Sequence, residues 1–446
     1  MTTAHPSSQP QRLPAWPAYV ALAAVLAAIA GFGGVYSYIW VPVDLVLFTA
    51  LAIWLVMTAL ADRSWPWHPL LVPMAAFGLL VVLQWHLRLS IYPGATLTGL
   101  IQLAGCGCLF YLALAGLSSG CSLRLAWILW LFCGALSIEA ILQAVSSYPG
   151  YVYGIFRKNW ASPVGPFIYH NHFAGCMDLL LPLAVAVAFR PSAGREGRWS
   201  RWLRRGVVPA LGLAALVLSE SRGGMLTIGL ELLAAGTIFW PEVKRNIWGL
   251  LLVLGVCCLF VVSTQWHALL RRFEMLNVHA PSFSERIWVA ATCWRIFLHF
   301  PWLGTGFNTF ATIYPSFQTF DTGQIWLFAH NEYAQMLVET GLAGALCVAA
   351  FLLLLLHAGW RRWRRRGHGD PAVRNLQLAA FIGLAGFLFH SYGDFQFHNP
   401  ANALLFFLVV ALAVTPAEKP RLRSANSPPR TSAQNKVSVL PFHTAQ

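Results

Sequence analysis

The sequence predicts an all-α fold: a polytopic helical membrane protein with about 12 transmembrane helices and one large outer loop. Three observations carry that expectation. The 446 residues are 57% hydrophobic and only 10% charged, whereas a soluble domain carries about 25% charged residues. The apolar residues gather into runs of roughly the 20 that a helix needs to cross hydrocarbon. The Lys and Arg residues behind the net charge of +14 lie in short segments between those runs. In a soluble protein such a charge would point to nucleic acid. Here it has the distribution of the positive-inside bias, and nucleic-acid binding is excluded.

Taken in order, the spans fall near residues 17–34, 42–61, 69–85, 97–117, 123–146, 171–189, 207–219, 224–240, 246–264, 332–357, 377–393 and 401–415. The first apolar stretch, Tyr19 to Ile29, is preceded by a single basic residue, Arg12, and reads as an uncleaved span rather than a signal peptide. The third, seventh and eighth spans are short. Most of the 30 Lys and Arg then fall on one side, with clusters at 190–205, at 361–374 and in the tail. That asymmetry puts both termini inside. Residues 1–16 form a cytoplasmic tail, 17–415 a single transmembrane domain, and 416–446, rich in Ser, Pro, Arg and Lys, a disordered cytoplasmic tail.

Residues 207–240 admit one long span or two short ones. One helix of that length would measure about 51 Å against a hydrocarbon core of roughly 30 Å, and would put the Arg361–Arg366 cluster outside. Two spans with a turn at Ser221-Arg222-Gly223-Gly224 satisfy both constraints, the glycines supplying backbone freedom. Two outer segments remain, at 147–170 and 265–331. In the second, Ser282 and Glu285 have capping-box spacing, and Ile287, Ala291, Trp294 and Leu298 repeat at helical spacing until Pro301. The expectation is a helix lying on the membrane or capping the bundle, with Arg286 in its first turn.

Several chemistries are absent from the pattern. The nine cysteines form no CxxC pair, and most lie in or beside apolar runs, as small packing residues do. There is no D-x-D motif and no P-loop, and His170 and His172 lack acidic or Cys neighbours that would suggest zinc. No metal and no cofactor are expected.

Charged groups kept near a bilayer are functional suspects. Arg222, at the outer end of two short helices, either grips a phosphate bidentately or snorkels and pairs with Glu220. Arg286 either adds positive charge for a diphosphate, with Arg271, Arg272 and Arg295 nearby in sequence, or anchors the helix at the interface. His330 can serve as a general base toward a sugar hydroxyl or donate to phosphate, while Asn331 and Glu332 have the character of a helix cap. Asp394, near His390, needs a partner, and an outer arginine is the expected one. His170 and Asn171, at the mouth of the sixth span, can line an acceptor groove or form a turn. Asp44, Glu139, Asp178 and Glu231 fall inside predicted spans and keep a transporter reading open.

The motifs resemble those of the O-antigen ligase and polymerase family of bacterial envelope proteins. The resemblance rests on Leu218-Ser219-Glu220-Ser221-Arg222-Gly223-Gly224, Ser284-Glu285-Arg286-Ile287-Trp288, and Phe300-Pro301-Trp302-Leu303-Gly304-Thr305-Gly306. It continues through His330-Asn331-Glu332-Tyr333 and Glu339-Thr340-Gly341-Leu342, so that it covers roughly 205–360, with a looser match at 165–183. It implies a multi-pass protein of the bacterial inner membrane with a periplasmic active site. The reaction implied is metal-independent transfer of a glycan from a polyprenyl (undecaprenyl) diphosphate donor to a hydroxyl acceptor, either a lipopolysaccharide core or a growing polysaccharide. Under it, Arg222 and Arg286 bind the diphosphate, and His330 activates the acceptor or assists the leaving group. Asn331, Asn171, His170 and Asp394 are the expected substrate-binding residues. Protein O-glycosylation within the same family is the alternative. Asp394-Phe395 and Asn399-Pro400-Ala401-Asn402-Ala403 resemble a subgroup of that family.

Overall fold

Apolar segments in hydrocarbon must satisfy their own backbone hydrogen bonds, which selects helices. The computed structural model describes residues 14–146, 150–157, 164–190, 203–238, 281–320, 325–364 and 370–416, with a few single positions between them. Its helices are α1 (Trp16–Ala30), α2 (Ser37–Leu60), α3 (Leu71–His86), α4 (Pro93–Leu117), α5 (Ser122–Val145) and α6 (His170–Ala188). They continue with α7 (Val208–Leu218), α8 (Arg222–Ile238), α9 (Pro281–His299), α10 (Glu332–Arg364), α11 (Pro371–His390) and α12 (Pro400–Val414). Six of them, α2, α4, α5, α6, α10 and α11, are long and apolar enough to cross a membrane, and α1, α3 and α12 are shorter apolar helices. The chain is thus a helical, multi-pass membrane protein. The expected span at 246–264, Arg271, Arg272 and nearly all of the C-terminal tail lie outside the described residues.

The centre of the bundle is α6, which is buried on almost every side and packs against α5, α7, α8 and α11. A helix apolar all round belongs in such a position. Beside it, α12 is buried along nearly its whole length between α1, α4 and α11. A second, smaller core lies under α9, where Val289, Cys293 and Ile296 meet Phe310, Tyr314, Trp326 and Val338. The predicted apolar stripe of α9 faces the other way: Ile287, Ala291, Trp294 and Leu298 are all exposed. Two apolar faces therefore flank this helix, one for the protein core and one turned outward.

The break between α7 and α8 falls at Ser219–Ser221, with Glu220 at φ +59°. This corrects the role expected for the glycines. Gly223 and Gly224 are already helical; a Cβ on Gly223 would stand 2.7 Å from His390 Nε2, and one on Gly224 2.5 Å from Ala174 Cβ. They allow close helix packing rather than the turn itself.

Two of the sequence motifs prove to be one physical unit. Helix α10 is interrupted at Gly341 (φ +59°, ψ −157°), a conformation that only glycine adopts readily. The amides freed there donate to the Phe300–Gly306 segment, Leu342 N to Pro301 O at 2.8 Å and Ala343 N to Trp302 O at 3.0 Å. In return Thr305 N and Gly306 N donate to Val338 O and Glu339 O, each at 3.0 Å. Gln84 of α3 clamps the same joint, donating to Leu303 O and Glu339 O and accepting from Phe307 N.

Candidate functional site

The short link between α11 and α12, His390-Ser391-Tyr392-Gly393-Asp394, is where the sequence candidates meet. Asp394 is 1% exposed, and its Oδ1 lies 3.2 Å from His330 Nδ1, whose side chain is 20% exposed. Its Oδ2 accepts from Asn171 Nδ2, and Oδ1 also accepts from Phe395 N at 2.9 Å. Burial by itself would raise this carboxyl; the hydrogen bond and charge of His330, with His172 and Arg286 nearby, hold it well below the usual carboxylate range. The expected arginine partner is thus replaced by His330 and Asn171, with Arg286 acting from further away.

Each partner is fixed from behind. Asn171, in the first turn of α6, is held from three directions: its Oδ1 accepts from Ser221 Oγ at 2.7 Å, its Nδ2 donates to Tyr169 Oη at 3.0 Å, and its carbonyl accepts from Gln396 Nε2 at 2.9 Å. Ser221 in turn accepts from Gly224 N at 3.2 Å, so the α7–α8 break is tied directly to the site. His330 has φ +49°, an uncommon conformation for a side chain of its size. Its ring is packed edge-on against Phe395 (centroids 4.8 Å) and Trp326 (5.6 Å). A strained residue held by several contacts is typical of a functional position.

Arg286 donates to Gly393 O at 2.8 Å, placing its guanidinium beside the carboxylate loop. Burial and Asp394 push the neighbouring Tyr169 hydroxyl up, with Arg286 opposing them. Arg222, half-buried, is the first residue of α8, and the following Gly223 packs on the ring of His390. His390 Nδ1 is 2.7 Å from Asp178 Oδ2. Asp178 therefore has a local partner inside the bundle.

Asn331 caps α10 as expected, its Oδ1 accepting from Ala334 N at 3.0 Å. Glu332 does more than complement the helix dipole. Its carboxylate accepts from Phe397 N at 2.5 Å and lies 3.2 Å from His398 Nδ1, while its amide donates to Ser391 O at 3.0 Å. His170 packs its ring on Tyr169; of the two histidines at the start of α6, it is the buried His172 that also faces Phe395. Gln396, Tyr169 and His398 were not singled out from the sequence. An Asn/Gln/His-rich stretch directly after Asp394 was the available signal for two of them.

The arrangement offers an imidazole beside a buried carboxylate, the Arg286 guanidinium held at the same loop, and the Asn171 amide that fixes the carboxylate. Residues 207–349 match the family model described as O-antigen ligase. No curated protein matches the chain.

Proposed function

We propose that this chain, whose residues 207–349 match the O-antigen ligase family model, transfers a glycan from a polyprenyl diphosphate to a hydroxyl acceptor. The reaction takes place on the periplasmic face of the bacterial inner membrane. The observation that supports it most is the link at residues 390–394, which holds His330 and Arg286 and against which Gly223, next to Arg222 at the start of α8, packs closely.

In this reading the acceptor oxygen attacks the anomeric carbon of the donor glycan, and the bond from that carbon to the phosphate oxygen breaks. The polyprenyl diphosphate leaves with the electron pair. Arg222 and Arg286 spread its charge through charge-assisted hydrogen bonds, the kind of preorganised electrostatic work that needs no metal. The acceptor's proton passes to His330 Nε2. Asp394, 3.2 Å from Nδ1, favours the tautomer that carries its proton there and so leaves the Nε2 lone pair for the acceptor, as a buried carboxylate does for a general base. Asn171 and Ser221 keep the carboxylate in place.

The test is a transfer assay with purified full-length protein, a polyprenyl-diphosphate-linked glycan, and three acceptors: a lipopolysaccharide core lipid, a free glycan and a protein. Transfer to the lipid or the glycan supports ligation or polymerisation, respectively. Transfer to protein alone moves the reading to O-glycosylation within the same family. No transfer to any acceptor, with solute uptake in liposomes, overturns it in favour of transport.

A further inference from the structure

Tyr169 stands immediately before α6, and the reaction outlined above leaves its hydroxyl without a role. Its backbone is extended (φ −122°, ψ 131°), and its carbonyl accepts from His172 N at 3.1 Å and Phe173 N at 3.3 Å. The first turn of α6 thus fixes where the side chain starts. Ring contacts fix where it goes. Tyr169 stacks on Phe395, centroids 5.5 Å apart and planes 17° apart, and meets His172 at 5.1 Å and His170 at 4.9 Å edge-on. A hydroxyl held this way has little freedom left to lose when a ligand arrives.

The neighbours of that hydroxyl decide what it can do. The Asn171 side-chain nitrogen carries two hydrogens, one for Asp394 Oδ2 and the other for Tyr169 Oη at 3.0 Å. The reverse amide orientation would set Asn171 Oδ1 against the Asp394 carboxylate. An amide nitrogen only donates, so Oη is the acceptor in this contact. The second neighbour, the Arg286 guanidinium, is also a donor only. Among the described residues nothing accepts the hydroxyl's own hydrogen. Burial and the Asp394 charge both push the phenol up, so it keeps that hydrogen at neutral pH. A half-buried O–H backed by two donors is complementary to an oxygen anion from outside. Arg286 donates through Nη1 to Gly393 O, and its remaining N–H groups serve the same anion.

We propose that Tyr169 contacts the donor directly, its hydroxyl donating to a non-bridging oxygen of the diphosphate that Arg286 neutralises. The assignment rests on the transfer reaction proposed above and adds an uncharged donor to its two arginines. Beside Arg286 an uncharged group adds a hydrogen bond without the repulsion that a further cation would bring.

Tyr169→Phe removes one oxygen and keeps the stack on Phe395. In nanodiscs, Kd is measured for two probes that carry no glycan, polyprenyl diphosphate and the corresponding polyprenol. Wild type should prefer the diphosphate. The variant should bind it about 10- to 100-fold more weakly, the range for a hydrogen bond to a charged group, with Kd for the polyprenol unchanged. In the transfer assay the same loss should appear in kcat/KM for the donor while KM for the acceptor stays as it was. A diphosphate preference that survives in full, or an equal weakening toward both lipids, would overturn the assignment and leave the donor reading intact. The second of these is what a mere prop for Asn171 would give. A wild type without preference for the diphosphate would overturn the donor reading itself, and the part of Tyr169 with it.

Discussion

His330 Nδ1 lies 3.2 Å from Asp394 Oδ1, and the other oxygen of the same carboxylate accepts from the Asn171 amide. The pair joins α10, α6 and the α11–α12 link at one point. The contact engages Nδ1, and the proposed reaction assigns the acceptor's proton to the other ring nitrogen, Nε2. The buried carboxylate is worth keeping only while it is paired, because an isolated buried charge costs several kcal/mol.

A carboxyl lowered in the folded state contributes stability above its unfolded pKa and loses it as pH falls through the folded one. The difference in melting temperature between wild type and Asp394→Asn should therefore hold steady from about pH 8 down to pH 5 and narrow only below about pH 4. Thermal unfolding of the detergent-solubilised protein across that range checks it. A gap already closing at pH 6 would mean that Asp394 is not held in its ionised form.

Helix α8 supplies its own control. Gly223→Ala should push the start of α8 away from His390 and destabilise the protein by about 1–3 kcal/mol, as overpacking does. Gly229→Ala, on the same helix with nothing within 4 Å of a Cβ, should be neutral or stabilising by up to about 1 kcal/mol. Denaturant titration of both variants decides, and equal effects would remove packing as the reason for Gly223.

Arg222→Lys should leave insertion and yield unchanged while transfer falls about 100-fold, because an ammonium cannot reproduce the planar fork at a phosphate. Chelators should not affect transfer by the wild type. Full activity in the lysine variant would remove Arg222 from the site, and EDTA inhibition reversed by Mg²⁺ would overturn the metal-independent mechanism.

Gly341→Ala tests the joint between α10 and the Phe300–Gly306 segment. The substitution meets a positive φ, and its Cβ stands 2.6 Å from the Trp302 carbonyl. The backbone strain alone costs about 1–3 kcal/mol. Amide exchange should then rise at Leu342 and Ala343, whose partners are Pro301 and Trp302. Unchanged protection at both would show that the joint does not depend on glycine.

The helices were legible because an apolar run long enough to cross a bilayer has few other uses, and the ends of α4, α5, α6 and α12 fall within a few residues of the expected spans. The order of the Arg222, Arg286 and His330 motifs was legible too. The link at 390–394 as their meeting point was not, because its contacts are remote in sequence. Asn171 and Asp394 are 223 residues apart, and Arg286 and Gly393 are 107 apart. Charge alone suggested an arginine for Asp394, and only packing reveals that His330 and Asn171 arrive first. The period marked an apolar stripe on α9 without saying which way it faces, and the buried face of Val289, Cys293 and Ile296 has nearly the same composition and left no separate signal.

Whether His330 and Asp394 act as one unit is read from a double-mutant cycle on kcat/KM for glycan transfer. His330→Ala, Asp394→Asn and the double variant would be compared with wild type under identical donor and lipid acceptor. The account predicts that each single change lowers kcat/KM by about 100-fold or more, and that the double variant is little worse than His330→Ala alone. Losses that multiply, so that the double variant falls by the product of the two singles, would contradict it.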